Sequence, residues 1–397
     1  LISFIAIEVS FDATSEYLLA AEEVKRVQAF YAAKAGVHIS LLRINIYQQV
    51  KQTMGEMLKG QEGVVEMIWQ TPFVWPPDSI LPEDVSRIDR EAIREVVGES
   101  LMGDTQYRCD IFSETSKLDI NDLGSPSKGL AETTKRQLIR LIENRMAADD
   151  DWSEEHKNLQ PEELVNNIID WVDADSEGRN SSDEKALYND FHSESIPPNQ
   201  PFKTVEELHM VSGMDDSLYS YLAPLITVYG VKGVQVNHAS ADMLRSLDPQ
   251  ITEEIAKLII KRREDKQLGG PFKNEEDFLN YVSGPEVRLD KAKFNETKIP
   301  LIFDAEYNFR IKCIGMAGSS SRPSTREIIA IVYDFDKVKE KLGKIIADEK
   351  AKENPQATPT PTPVPGPGGG AGGATPSPSP APGGSRVAPG IVYWIEN

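Results

Sequence analysis

An acidic stretch that begins at Asp173 is the sharpest local signal for chemistry in the chain. Carboxylates stand at its positions 1, 3, 5 and 12 and a glycine at position 6, namely Asp173, Asp175, Glu177, Glu184 and Gly178. In a tightly wound loop with this spacing, alternate side chains point inward and the last glutamate can bind an ion with both oxygens. The sequence therefore predicts a calcium site, with the backbone carbonyl of Arg179 as a further ligand. The alternative is an acidic turn that binds nothing, because short acidic motifs recur by chance and glutamate at position 5 is unusual.

A second segment, 236–263, has the pattern of a helix-hairpin-helix unit, a fold often used to bind DNA. DNA binding by such a unit relies on backbone N–H groups of a glycine-containing hairpin. Here the hairpin is Asp248-Pro249-Gln250, which lacks glycine, carries a carboxylate and loses one N–H group to proline. We therefore expect this unit to serve packing rather than DNA binding.

The composition also argues against nucleic acid and against catalysis. The formal net charge is −20, and acidic residues concentrate between positions 149 and 190, although such a run is often only a solvated face. This charge repels nucleic acid and anionic membranes and attracts cations. The five histidines are scattered, and no Gly-x-Ser-x-Gly motif is present. We therefore predict that the chain is not an enzyme.

The two cysteines, Cys109 and Cys313, lie on the apolar faces of two strand-like segments, 107–112 and 309–314. They could be neighbours in one sheet, and an oxidising compartment would then permit a disulfide. Two buried thiols are the alternative.

The first stretch, 1–58, is predicted to form one long helix that positions the rest of the chain. It contains no proline and no glycine before Gly36. Its apolar residues recur three or four positions apart, as Val24, Val27, Phe30, Tyr31, Ala35, Ile39, Leu42, Ile46 and Val50. A helix of about 58 residues would be roughly 87 Å long, so part of it should protrude from a small domain.

The protruding part should be the first turns, which are apolar on all sides apart from Glu8. We expect this end to contact lipid or other helices, although its apolar run of about 11 residues covers only half of a hydrocarbon core. Because the chain begins without methionine, we also expect that a longer protein has further residues ahead of Leu1. An ordinary buried core helix is the alternative.

Two hydrophobic periods divide the remainder of the chain. Strand-like alternation occurs at 107–112, 305–316 and 326–335, and the chain closes on an apolar strand at 390–397. Residues 60–82 are predicted to form an irregular connection, and 131–284 an all-helical insertion. The Pro/Gly-rich segment 351–389 cannot form a core, so it should be a flexible loop that returns the last strand to the sheet.

The helical insertion contains an internal echo. Pro201-Phe202, followed by Val211-Ser-Gly213, recurs as Pro271-Phe272, followed by Val282-Ser-Gly284. Each phenylalanine should enter the core, and Thr204 or Asn274 can cap the helix that follows. Thr204 with Glu207 also fits a capping box.

These pieces together resemble the general secretion pathway protein K family, the minor pseudopilin K of type II secretion systems. The residues that carry the resemblance run in family order over nearly the whole chain: Gln28-Ala-Phe-Tyr-Ala-Ala-Lys-Ala-Gly36, Ile169-Asp-Trp-Val-Asp-Ala-Asp175, Pro198-Asn-Gln-Pro-Phe-Lys-Thr-Val-Glu-Glu-Leu208, Val234-Gln-Val-Asn-His-Ala-Ser240 and Tyr393-Trp394. The Pro/Gly-rich loop is a departure from the family pattern.

The resemblance implies an α+β fold, in which a long N-terminal helix packs on the antiparallel sheet of a pilin-like body and a helical insertion carries calcium. The domains expected on this basis are the helix 1–58, the first part of the body 59–130, the insertion 131–284, the second part of the sheet 285–350, the loop 351–389 and the final strand 390–397.

The same resemblance implies a non-enzymatic minor pseudopilin that caps the tip of a periplasmic pseudopilus and helps to start its assembly. Its partners would be other minor pseudopilins, which contact the apolar stripe and the body, together with secreted substrates but no nucleic acid. It would lie in the bacterial inner membrane as a single-pass protein, with its bulk in the periplasm. A membrane-anchored, calcium-dependent module that binds secreted cargo is the alternative, and nucleic-acid uptake through the hairpin is a third class.

Overall fold

A long helix, a five-stranded sheet and a largely helical lobe make up the computed structural model of this chain. The structure describes residues 2–54, 57, 62–77, 86–89, 91, 95, 105–180, 183–191, 196–296, 300–303, 306–318, 322–353 and 390–396. Its α-helices are α1 Ile2–Met54, α2 Glu62–Gln70, α3 Lys128–Ala148, α4 Asp150–Glu155, α5 Pro161–Val172, α6 Asp216–Leu222, α7 Ala241–Leu247, α8 Glu253–Glu264, α9 Glu275–Val282, α10 Lys291–Glu296 and α11 Phe335–Glu353. Its strands are β1 Phe73–Trp75, β2 Thr105–Ser113, β3 Leu118–Asp119, β4 Ile226–Thr227, β5 Val234–Gln235, β6 Leu301–Ile302, β7 Phe309–Ala317, β8 Ser324–Tyr333 and β9 Gly390–Glu396.

The main sheet is antiparallel and has the strand order β1-β2-β7-β8-β9. Side chains of β7 alternate between buried and half-buried, which is the pattern that the sequence predicted. β9 pairs with β8, so the prediction that the last apolar segment returns to the sheet is confirmed. Residues 351–353 of the predicted loop belong to α11, and the rest of that loop lies outside the described residues.

The face of α1 that packs on the sheet holds several small residues in addition to Val37, Ile44 and Tyr47. Ala29, Ala32 and Ala33 are fully buried. They allow a close approach, since a Cβ added at Gly315 would clash with the carbonyl oxygen of Ala29. The stripe predicted from the sequence is only partly in this contact: Phe30, Ala35 and Val50 are half-buried against the core, whereas Val24, Val27, Tyr31, Leu42 and Ile46 are between 42% and 60% exposed.

The first part of α1 protrudes, as predicted. The helix has 53 residues, which correspond to roughly 80 Å, and residues 8–20 are exposed apart from the half-buried Ser15. Within the part of the chain that the structure describes, no helix is both long and apolar enough to cross a membrane. The membrane anchor therefore stays a prediction.

Cys109 and Cys313 form a disulfide between β2 and β7. The two residues are directly opposite each other in the sheet, which confirms that they are neighbours. Both are completely buried beneath Gly36 of α1, where a Cβ would clash with the Cys109 sulfur.

The segment 60–82 is more regular than predicted. It contains the helix α2, followed by the edge strand β1. Val65 and Trp69 lie one helical turn apart and both are buried against α1 and the sheet. The helix is only nine residues long, so this period was too short to stand out in the sequence.

The lobe is inserted between the neighbouring strands β2 and β7, which pair at Ser113 and Phe309 where the chain leaves and rejoins the sheet. The prediction of an all-helical insertion is wrong, because the lobe contains two short parallel strand pairs, β3 with β4 and β5 with β6. Each of these strands has two residues, too few for alternation to be visible in the sequence.

Two buried glutamates join the lobe to the sheet. Glu114 accepts hydrogen bonds from the Arg310 guanidinium (both 2.8 Å) and from the Thr227 hydroxyl (2.6 Å). Burial alone would raise the pKa of Glu114, but Arg310 and Lys117 hold that pKa below its usual value. Glu306 accepts from the Ser113 and Thr115 hydroxyls, and its burial raises its pKa to about 7.

The internal echo is structural as well as sequential. Phe202 and Phe272 are both buried. The side-chain amide of Asn121 donates to the Phe202 carbonyl (3.0 Å), and its oxygen accepts from the Phe202 N–H (2.7 Å). Asn237 forms the same pair of bonds with Phe272, both at 2.8 Å. We call each of these arrangements an Asn–Phe clamp.

The surroundings of the two clamps also correspond. Asn121 and Asn237 each lie two residues after a short strand, β3 or β5. A carboxylate lies five residues after each phenylalanine, and it accepts a hydrogen bond from the backbone N–H of the residue that directly follows the phenylalanine. Glu207 accepts from Lys203 (2.9 Å), and Asp277 accepts from Lys273 (3.1 Å). Glu207 also accepts from Thr204, as its capping box requires, and Asn274 caps α9. The lobe therefore consists of two similar halves.

The hairpin between α7 and α8 uses its own N–H groups internally. The Asp248 carboxylate accepts from the Gln250 N–H (2.8 Å), and the Asp248 carbonyl accepts from the Ile251 N–H (3.0 Å). Asp248 itself is buried. This arrangement fits the expected packing role, whereas the assignment as a helix-hairpin-helix unit stays a prediction.

Candidate metal centre

The predicted calcium loop follows α5, and the helix fixes its first residues. α5 is amphipathic and buries Leu164, Ile168 and Trp171 in the lobe. Asp170 and Asp173 lie at its C-terminal end. Asp173 is the C-cap residue, and its backbone N–H donates a hydrogen bond to the Ile169 carbonyl. Glu184, at the other end of the loop, begins the 3-10 helix Glu184–Phe191.

The loop brings three of the predicted ligands together. Asp173, Asp175 and Glu184 each offer a carboxylate oxygen, and these oxygens all lie within 4.8 Å of one another. Three carboxylates at this separation repel one another unless a cation or protons neutralise them. The arrangement is therefore the one expected of a cation site built from hard oxygen ligands.

Two of these carboxylates have an oxygen with no hydrogen-bond partner among the described residues, Asp173 Oδ1 and Glu184 Oε1. Glu184 is only 1% exposed, so water does not reach it freely. Burial raises the pKa of Asp170, Asp173 and Glu184, and repulsion between neighbouring carboxylates adds to each shift. Unpaired buried oxygens are costly, and a bound cation would satisfy them.

The other two predicted ligands, Glu177 and the Arg179 carbonyl, are not among these three carboxylates. Glu177 is exposed, and its backbone N–H donates to Asp175 Oδ1 (2.9 Å). Arg179 donates its backbone N–H to Asp170 (3.0 Å), and its guanidinium reaches Asp173 Oδ2 (3.1 Å). Arg179 thus offsets part of the negative charge with its side chain, a contact that the calcium-loop pattern did not predict. The roles of Glu177 and of the Arg179 carbonyl as ligands stay predictions.

Two residues of the site were missed in the sequence. Asp170 is 2% exposed and lies one turn before Asp173 on α5, so the i, i+3 spacing of two aspartates at a helix end was a usable signal. Asn199 donates from Nδ2 to Glu184 Oε2 (2.9 Å) and to the Asp175 carbonyl. Asn199 lies 15 residues from Glu184, and no local pattern indicates that contact.

Oxygen donors of this kind suit calcium better than zinc or copper, which prefer nitrogen and sulfur ligands. Asp173, Asp175 and Glu184 would hold the ion, and Asn199 and Arg179 would fix the orientation of these carboxylates. The residues present therefore fit the predicted cation.

Part of the chain is similar to a known protein family. The model of type II secretion system (T2SS) protein K, first domain, matches residues 116–231, which include the metal-centre residues. The type II secretion system protein K of Dickeya chrysanthemi is 32% identical over 140 residues, which are 34% of this chain and 37% of that protein. The match thus spans little more than a third of the length of this curated relative.

Among solved structures, the chain is similar to one in the crystal structure of the GspK-GspI-GspJ complex from the enterotoxigenic Escherichia coli type 2 secretion system. The TM-score is 0.45 at 14% sequence identity, over 75% of this chain and 95% of that one. Residues 116–231 match the family model of type II secretion system protein K, which confirms the resemblance seen in the sequence.

Proposed function

We propose that this chain is a non-enzymatic minor pseudopilin of a type II secretion system, which caps the tip of the periplasmic pseudopilus and helps to start its assembly. In this proposal the protruding end of α1 is anchored in the inner membrane, and the bulk of the chain lies in the periplasm. Other minor pseudopilins bind α1 and the sheet.

The observation that carries the proposal is the position of the lobe relative to the free end of α1. The strand β7 runs antiparallel to α1, with Gly318 next to Lys25 and the Phe309 ring 6.0 Å from the Tyr47 ring. The lobe joins the sheet at Phe309 and therefore at the C-terminal end of α1, opposite the protruding residues 8–20. If the protruding end points to the membrane, the lobe covers the far end and would block the addition of a further subunit.

The exposed apolar stripe of α1 supports helix packing with partners. Leu42 and Ile46 are 54% and 42% exposed, although they lie in the part of α1 that packs on the sheet. Such residues, in line along one helix face, are typical of a surface that another helix covers. Calcium, bound by Asp173, Asp175 and Glu184, would stabilise the lobe rather than take part in a reaction.

Co-purification tests the proposal. We expect the full chain to form a stoichiometric complex with candidate minor pseudopilins, and the variant Leu42→Ser with Ile46→Ser to lose it. A suitable control is Val64→Ser with Met67→Ser, since these residues of α2 are similarly exposed, at 51% and 59%, but lie away from the stripe. Repeating the purification with calcium and with chelator shows whether the acidic loop contributes.

The outcomes separate the proposal from its alternative. Loss of the complex in the stripe variant alone would support assembly through α1. No complex under either condition would favour a membrane-anchored, calcium-dependent module that binds secreted cargo. Equal loss in both variants would contradict a specific role for the stripe.

A further inference from the structure

A cleft of about 930 Å³ opens between α2 and the second half of the lobe, and the proposed assembly does not use it. We call it the junction cleft. It is lined by charged and apolar side chains, among them Lys51, Glu66, Arg263, Lys266, Lys273 and Phe303. Its volume would accommodate several side chains of a peptide.

The junction cleft is basic in a strongly acidic chain. Lys51, Arg263, Lys266 and Lys273 line it with only two carboxylates, Glu66 and Glu264, whereas the whole chain has a net charge of −20. Glu66 is already engaged, because it accepts hydrogen bonds from Tyr47 (2.9 Å) and Trp69 (2.7 Å) and pairs with Lys51 (3.0 Å). The burial of His238 lowers its pKa to about 4, so this lining residue is neutral near pH 7.

Three of the cations have no carboxylate within 4 Å among the described residues, namely Arg263, Lys266 and Lys273. Arg263 is half-buried and donates only to the backbone carbonyls of Val236 (2.7 Å) and Ala239 (2.8 Å). Lys266 and Lys273 are exposed at the edges of the cleft. Partial burial of a guanidinium without a counter-ion is energetically unfavourable, and an anionic ligand would reduce this cost.

The position of the junction cleft within the lobe is informative. Its loop follows the twelve-residue helix α8 and precedes Pro271-Phe272, just as the candidate calcium loop follows the twelve-residue helix α5 and precedes Pro201-Phe202. Trp171 stacks on Phe202 in the first half, and the Arg262 guanidinium lies 4.3 Å from the Phe272 ring centre in the second. The two halves thus differ in charge next to equivalent Pro-Phe segments, with carboxylates after α5 in the first half and Arg263, Lys266 and Lys273 around the end of α8 and Phe272 in the second.

From these observations we infer that the junction cleft binds an acidic peptide segment of another protein, with an apolar side chain seated against Pro271 and Phe303. Carboxylates of that segment would pair with Arg263, Lys266 and Lys273. A short peptide experiences mainly the cations within roughly 8–10 Å, because salt screens charges farther away. A long polyanion such as nucleic acid would also experience the acidic remainder of the chain, which disfavours it. This inference does not depend on a position at a pseudopilus tip.

The test measures fluorescence anisotropy of a labelled peptide of alternating glutamate and phenylalanine, titrated with the full chain in calcium-containing buffer. We expect saturable binding that weakens with salt, and at least about tenfold weaker binding in Lys266→Glu with Lys273→Glu, since each reversal replaces an attraction by a repulsion. The control variant Lys291→Glu with Lys293→Glu makes the same charge change on exposed α10 residues outside the cleft, and should bind within about twofold of the unchanged chain.

Three results would overturn the inference: no binding of the acidic peptide, equal weakening in both variants, or equal binding of a peptide with lysine in place of glutamate. Tighter binding of a single-stranded oligonucleotide, sensitive to the Lys266 and Lys273 changes, would assign the cleft to nucleic acid instead. Melting curves of both variants establish that each is folded. A chain that fails to bind pseudopilins but binds the peptide would disprove only the proposed function.

Discussion

The two halves of the lobe have the same frame and different loops. Each half holds a Pro-Phe segment in an Asn–Phe clamp, packs a helix against it and closes with a short parallel strand pair. In the first half the loop before the clamp gathers Asp173, Asp175 and Glu184, whereas the second half presents Arg263 at the end of α8 and Lys266 in the loop that follows. The frame is built from apolar and amide groups that do not involve the loop charges, so loop chemistry can differ without a change in fold.

The largest expected effect is the loss of either clamped phenylalanine, which should damage the two halves equally. Phe202→Ala and Phe272→Ala should each destabilise the protein by about 3–5 kcal/mol, because each empties a fully packed site. Urea unfolding followed by circular dichroism measures both, and Phe335→Ala, at a residue that is 65% exposed, is the control. A large loss for only one of the two would show that the halves are not energetically equivalent.

The periodicity of apolar residues in the sequence made much of this frame predictable. Alternation identified β2, β7 and β8, and the long helical period identified α1. The Pro-Phe echo located both clamped phenylalanines, and the loop spacing located Asp173, Asp175 and Glu184.

The features that could not be predicted from the sequence depend on close backbone approach or on contacts between residues that are distant in the sequence. The face of α1 that meets the sheet includes Ala29, Ala32 and Gly36, whose weak hydrophobicity hides the close approach that they permit. Asn121 and Asn237 are single polar residues that lie 81 and 35 residues from the phenylalanines they hold. No periodicity records such a pair, and the same holds for Asn199 beside Glu184.

Calcium should distinguish the two halves. At a concentration of 100 times its Kd, one bound ion would stabilise the folded chain by roughly 2.7 kcal/mol, and chelator should remove this gain. Asp173→Asn with Glu184→Gln should abolish the calcium-dependent rise in Tm, while Glu155→Gln, at an exposed residue of α4 outside the loop, should retain it. Calorimetry in calcium and in chelator measures the difference.

The mutant melting temperatures in chelator decide what the carboxylates do. Without the ion, neutralising two mutually repelling carboxylates should leave Tm unchanged or raise it. An equal loss of Tm in calcium and in chelator would mean that Asp173 and Glu184 serve the fold directly, and the cation site would be wrong.

The smallest expected effect tests the clamps themselves. Asn121→Ala and Asn237→Ala each remove two hydrogen bonds and leave a backbone N–H and a carbonyl of a buried phenylalanine unpaired, which should cost roughly 2 kcal/mol in each half. Asn280→Ala, at an exposed position of α9, controls for the change of residue type and should be nearly neutral. The two losses should be similar and should add in the double variant, because the clamps share no residue. If Asn121→Ala lowered stability only in the presence of calcium, the first clamp would depend on the metal loop. The fold of that half could then not be treated as independent of its loop, which would contradict the comparison of the two halves.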